Sequence, residues 1–332
     1  MRPNKNIKIF LNYFLGPLLF MWLSFSIWQQ VINQPHLENS WRQLKLALTG
    51  QQSWKFWVIL LLMMVNWGVE ARKWQVLMKP LQRISWWKAY KATLSGLALA
   101  LNTPNRVGEY GARVLYIDEG KRFRAVSLTL VGSMSQFLIT LLLGSGGLIY
   151  LLNLPGNATV YDYNRSYSFW IQLLLNIIAI VTVAGFLVYF RLGWLTRLID
   201  KLPALRKLTP HIVVLEELTY PFLLRVCSLS LTRYIVFVFQ YVLMLQLMQV
   251  EVSVWQAFWL VTVMFLVLAA VPTIALAEIG LRGQVSLELF GLFSSNKIAI
   301  IAAAAGIWFI NLILPAMIGS LLILSIKIFK TK

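Results

Sequence analysis

Reactive side chains are scarce in this sequence. Among 332 residues there is one cysteine, Cys227, and only two histidines, His36 and His211. A lone cysteine excludes an intramolecular disulfide, and two histidines are too few for a histidine-based metal site. Aspartate and glutamate together number 12, and no Asp-x-Asp occurs. Carboxylate-held metals and general acid–base chemistry therefore have little material. No glycine-rich P-loop is present either, so ATP coupling would require a partner. No metal or cofactor is expected.

Charge is the next shortage. Charged residues make up 13% of the chain, about half of the roughly 25% usual in soluble domains. What fills the space is apolar: 59% of residues are hydrophobic. Runs long enough to span a bilayer, about 20 residues each, lie near 10–30, 55–71, 125–152, 169–190, 226–249 and 298–326. Two further apolar regions, 87–117 and 255–293, are interrupted by polar and charged residues. The first run follows lysines, as a signal peptide would, but no small-residue cleavage site comes after it; it reads as a retained helix. The expected class is an all-α polytopic membrane protein.

The basic excess, +18, is not distributed as a nucleic-acid site would be. Lysines and arginines cluster in short loops beside the apolar runs, the pattern of the positive-inside bias. The partner this implies is anionic lipid on the cytoplasmic face, not nucleic acid. The same bias decides sidedness. If all eight apolar regions crossed once, the basic residues would divide evenly between the two sides. If 87–117 and 255–293 are re-entrant hairpins, most fall on the side of both termini, which is then cytoplasmic. Arg106, Arg113, Arg233 and Arg282 become buried in the membrane. A helix over 92–103 would also rise only about 18 Å, short of the roughly 30 Å hydrocarbon layer. Irregular backbone at that depth needs protein or a wet cavity around it.

A short motif occurs twice. Glu109-Tyr110-Gly111-Ala112-Arg113 and Glu278-Ile279-Gly280-Leu281-Arg282 share the spacing E-x-G-x-R. Each follows a proline, Pro104 or Pro272, and each lies in the third apolar region of its half. The predicted architecture is an inverted-topology repeat, 1–153 and 154–332, each half being two spans, a re-entrant hairpin and a span. That gives six full spans plus two broken-helix hairpins, a layout of transporters with sites near the midplane.

Thr103 before Pro104 reads as an N-cap followed by proline at the first helical position, and Thr273 after Pro272 plays the analogous part. The spacing then puts Arg106, Glu109 and Arg113 on one helix face, and Glu278 and Arg282 on another. Gly108, Gly111 and Gly280 permit close backbone approach. Helix N-termini and guanidinium forks both suit an anion such as a phosphate. The glutamates would hold the arginines, receive an amino head group, or titrate as a proton coupler. The plainer alternative is that each Glu–Arg pair neutralises itself and pins its hairpin, although ionisable residues in a bilayer favour function. Arg233 would line the same cavity or pair with Glu70 or Glu288. Arg72 and Lys73, ending the second span, read as interfacial anchors, with Glu70 a candidate for facing the site. Leu195, Leu198, Leu202 and Leu205 mark a helix lying on the membrane surface.

Pro104-Asn105-Arg106-Val107-Gly108-Glu109, with an arginine shortly after, resembles the first signature of the lysylphosphatidylglycerol synthase/flippase transmembrane-domain family. The region of Pro272 and Gly280-Leu281-Arg282 is similar to that family's second signature. Here Arg113 stands four residues after Glu109, where the family usually has three. Gly283 follows Arg282, where the family usually has glutamate. The resemblance implies handling of a phospholipid or lipid-linked anionic substrate in a bacterial or archaeal inner membrane. The family's longer members add a soluble aminoacyl-transfer domain; with the chain ending at Lys332, that activity is not expected and the protein is not expected to be an enzyme. The leading expectation is a lipid translocase binding its head group between two broken helices. An ion-coupled carrier of small anions, a membrane-embedded transferase using a lipid-phosphate donor, and a structural assembly partner are the alternatives. The sequence sets no oligomeric state.

Overall fold

The computed structural model describes residues 21, 25, 29, 50, 52–101, 103, 106–153, 165–201, 209–271 and 275–323. Most of the apolar run near 10–30 lies outside them, as do Pro104, Pro272 and Thr273. The described residues are helical, with no strand among them. Five stretches are long and apolar enough to cross a membrane: Trp54–Met78, Glu119–Leu152, Gln172–Phe190, Tyr220–Leu247 and Lys297–Ile323. They coincide with five of the six spans expected from hydropathy.

Helix α1 is Trp54–Met78, and at 25 residues it rises about 37 Å, enough to cross. Next comes α2, Trp86–Ala100, started by Ser85, whose side chain accepts from the Lys88 amide. Helix α3, Gly108–Val114, is seven residues long. Neither α2 nor α3 is long enough to cross alone. After α3 the chain forms α4, Arg122–Leu152, then α5, Arg165–Phe190, and α6, Leu192–Lys201. Helix α7, Tyr220–Leu247, carries a proline in its first turn, where the missing N–H costs nothing. A capping box of Ser253 and Gln256 begins α8, Val254–Ala270. Then follow α9, Ala275–Phe290, α10, Lys297–Trp308, and α11, Leu314–Ile323. A π-turn, Phe309–Ile313, joins the last two. Pro315 lies just beyond it and cannot donate to the carbonyl four residues back, which is reason for the ladder to slip there.

The central pair is α1 against α7. They run antiparallel, because Lys55 donates to Gln246 at 2.9 Å, Gln240 donates to the Ile59 carbonyl at 2.9 Å, and Arg233 meets Glu70 at 3.2 Å. Helices α2 and α3 also run antiparallel, with Ser95 beside Tyr116 at 2.9 Å. The two ends of this hairpin are clasped together: Lys121 donates to the Leu81 carbonyl at 2.9 Å, and the Asp118 amide to Gln82 at 3.3 Å. Helices α8 and α9 form the second hairpin, with Ser286 against Met264 at 3.3 Å. The first hairpin leaves from the Met78 end of α1 and the second from the Leu247 end of α7. They therefore approach from opposite ends of the central pair.

Each hairpin's first limb is covered by a helix from a distant part of the chain. Helix α11 lies on α2 so closely that a Cβ on Gly319 would stand 2.0 Å from the Leu94 carbonyl oxygen. Helix α4 meets α8 in the same manner, where a Cβ on Gly147 would be 2.2 Å from Thr262 Oγ1. Without a hydrophobic drive between helices in lipid, such close van der Waals approach is what holds them.

Candidate functional site

Three carboxylates organise the charge buried between the hairpins. Glu70, on α1, is 5% exposed. It receives Lys73 at 2.8 Å, Arg113 at 3.1 Å and Arg233 at 3.2 Å. Lys73 is thus not an interfacial anchor. It sits one turn after Glu70 on the same buried face, is 2% exposed, and reaches Gln136 at 3.4 Å. Arg72, by contrast, is exposed.

On α3, Glu109 and Arg113 are four residues apart and form an ion pair. The pair lies against α2 at Gly96, where a Cβ would stand 3.0 Å from Arg113 Cγ and 3.2 Å from Glu109 Cγ. Any side chain at position 96 would push the arginine away. No motif marks Gly96 in the sequence.

Arg106 differs from expectation. Its φ is 58°, in the left-handed region that a non-glycine residue occupies at a cost. The helix begins only at Gly108, so Arg106 does not share a face with Glu109 and Arg113. Instead its guanidinium crosses to the second hairpin and meets Glu278 at 3.0 Å. Thr103 is not the N-cap of α3, a place held by Val107. Its hydroxyl nevertheless accepts from the Gly108 amide at 2.8 Å and lies 3.2 Å from the Leu99 carbonyl as donor, bridging the two limbs. Gly108 permits this approach, since a Cβ there would be 2.5 Å from the Leu99 oxygen. Gly111 and Gly280 do not serve close packing: no described atom lies within 4 Å of where a Cβ would be. With α3 only seven residues long, just under two turns, the positive potential at this hairpin comes from guanidinium groups.

On α9, Arg282 donates to Glu278 at 2.7 Å, so this carboxylate holds both Arg282 and Arg106. Arg233, on α7, pairs with Glu70 and stacks over the Trp67 ring at 5.3 Å. A cavity of about 510 Å³ opens between these groups. Its charged lining residues are Arg106, Arg233, Arg282 and Glu278, with Gln136 and Thr140 from α4 among the polar ones. Phe237, Phe265 and Leu268 are among its apolar lining residues. Of the residues singled out in the sequence, the structure brings Arg106, Arg233, Glu278 and Arg282 to the cavity. Glu109 and Arg113 stand behind it, joined to it through Glu70 and Arg233. Among the described residues, no group of three or more His, Cys, Asp or Glu is placed to hold a metal.

The model of the family described as lysylphosphatidylglycerol synthase TM region matches residues 13–321. No match is found among curated proteins or solved structures. The match spans nearly the whole sequence, and the chain belongs to this family of integral membrane proteins.

Proposed function

We propose, from membership of this family, that the protein is a lipid translocase. It moves an anionic or zwitterionic phospholipid, or a lipid-linked precursor, between leaflets of a bacterial cytoplasmic membrane. The head group sits in the cavity between the two hairpin tips while the tails stay in lipid. The observation that carries this reading is the cavity itself, whose lining combines guanidinium groups with aromatic and aliphatic side chains. An amphiphile needs both surfaces at once. The chain performs no covalent chemistry in this reading.

The accompanying topology is an inverted repeat, 1–153 against 154–332, with both hairpins re-entrant and both termini cytoplasmic. Three contacts support it: the clasp of Lys121 on Leu81, the departure of the hairpins from opposite ends of α1–α7, and the matched glycine contacts of α11 on α2 and α4 on α8. Cysteines placed at Lys88 and Lys121 in a Cys227→Ser background should then react with an impermeant maleimide from one side only, and from the same side. Reaction from opposite sides would remove the hairpin.

The function is tested in liposomes holding the purified chain and a fluorescent lipid. Dithionite should bleach the inner-leaflet probe progressively for at least one head group, and Arg282→Gln should slow the exchange. No exchange with any head group in a panel of anionic, zwitterionic and aminoacylated lipids overturns the reading.

A further inference from the structure

The cavity's charge balance narrows the ligand, given the lipid-binding reading above. Behind the cavity, Lys73, Arg113 and Arg233 face Glu70 and Glu109. Arg106 and Arg282 pair with Glu278. Among the described residues these five cations share three carboxylates, an excess of two, and Arg233, Arg106 and Arg282 all line the cavity. The hydrogen-bonding capacity is likewise incomplete. Nε and Nη1 of Arg282, and Nε of Arg233, are buried without a hydrogen-bond partner among the described residues. Arg282 is only 5% exposed. Buried guanidinium donors left unpaired are costly, and a small rotation of either side chain would present them to an oxyanion held in the cavity.

We infer that the cavity takes a terminal phosphate, a phosphomonoester or diphosphate end group carrying about two negative charges. A phosphodiester lipid supplies one charge and leaves one cation uncompensated. A head group bearing an aminoacyl cation adds a positive charge to a wall already in excess. The Phe237, Phe265 and Leu268 wall takes the start of the apolar chain. An end group of this kind belongs to phosphatidic-acid-like or polyprenyl phosphate lipids; the same chemistry is presented by free inorganic phosphate.

The test is binding to the full chain in phosphatidylcholine nanodiscs, with phosphatidic acid, phosphatidylglycerol, lysyl-phosphatidylglycerol and inorganic phosphate as probes. Phosphatidic acid should bind about tenfold or more tighter than phosphatidylglycerol, the difference made by one further charge-assisted contact. Lowering the pH through the second phosphate ionisation, about 6, should weaken phosphatidic acid and leave phosphatidylglycerol unchanged. That arm needs no variant and so is independent of folding. Arg282→Gln, which removes one of the two excess charges, should bring the two lipids to within about twofold of each other. Displacement by inorganic phosphate at the affinity of the lipid identifies a soluble anion as the source; failure of phosphate to displace identifies the membrane. Equal binding of phosphatidic acid and phosphatidylglycerol, or preference for the lysyl lipid, overturns the inference and leaves lipid translocation standing. Binding of none of the probes overturns both.

Discussion

In the first hairpin Arg113 is held between two carboxylates, Glu109 and Glu70. In the second, the carboxylate of Glu278 is held between two guanidinium groups, Arg282 and Arg106. The same five-residue spacing is therefore wired in opposite ways. The first copy is covered by α2 at Gly96 and stands away from the cavity. The second lines the cavity, and Arg282 there has donors without a hydrogen-bond partner among the described residues. A duplicated motif supplies an acid and an arginine on one helix face; the neighbouring helices decide which copy is covered and which lines the cavity. The first motif copy reads as the fixed half of the site, although Arg106 at its hairpin tip lines the cavity too, and the second copy as the half that faces the cavity.

The largest expected effect breaks the fixed half. Glu70→Ala leaves Lys73, Arg113 and Arg233 together without their shared carboxylate. Removing one member of a buried pair costs about 3–5 kcal/mol, so the variant should lose most of its folded yield in detergent and melt at much lower temperature. Arg282→Gln should instead cost about 1–3 kcal/mol, because Glu278 keeps Arg106, while lipid exchange falls about tenfold or more. Measured melting temperatures and exchange rates of the two variants in parallel decide it. If Arg282→Gln proved the less stable, or Glu70→Ala folded and flipped normally, the division between locked and binding halves would be reversed.

The packing gives a middle-sized effect that should be equal in the two halves. Gly319→Ala drives a methyl into the Leu94 carbonyl, and Gly147→Ala into Thr262. Overpacking of this sort costs about 1–3 kcal/mol, and the two variants should shift the melting temperature by similar amounts if the halves are built alike. The smallest effect separates the motif's glycines from these. Gly111→Ala and Gly280→Ala meet no described atom and replace a helical glycine, so each should be neutral or stabilising by up to about 1 kcal/mol. Destabilisation of either by more than that would restore a packing role to the motif.

Much of the architecture could be read from residue order. Apolar length located five spans now seen as helices, and the prolines with embedded charges located the two interruptions. The charged cluster was only half legible. An arginine as deep in an apolar run as Arg233 needs a partner, and of the cavity, Glu70 and Glu288 that the sequence offers, the structure uses the first two. Lys73 is not legible as a buried partner, because a lysine near the end of an apolar run looks like an anchor when its neighbours in space are unknown. Its burial follows from Arg113 and Arg233 arriving from other helices at the same carboxylate. Arg106 was put in the helix because Thr103-Pro104 is a sound start signal. The left-handed φ at Arg106 is a property of the hairpin tip and its contact with Glu278, invisible to local propensity. Gly96 carried no signal at all, since its importance lies in what rests on it.

The contact of Gly319 on Leu94 also sets an order of events at the ribosome. Helix α2 is made early, yet the surface that covers it is among the last of the described residues to be made. At about 5–20 residues per second, the limb waits on the order of ten seconds or more for its cover. Throughout that interval the nascent half-hairpin depends on lipid, on α1 and α3, or on the insertion machinery to shield it, and the site between the tips exists only once both halves have been threaded.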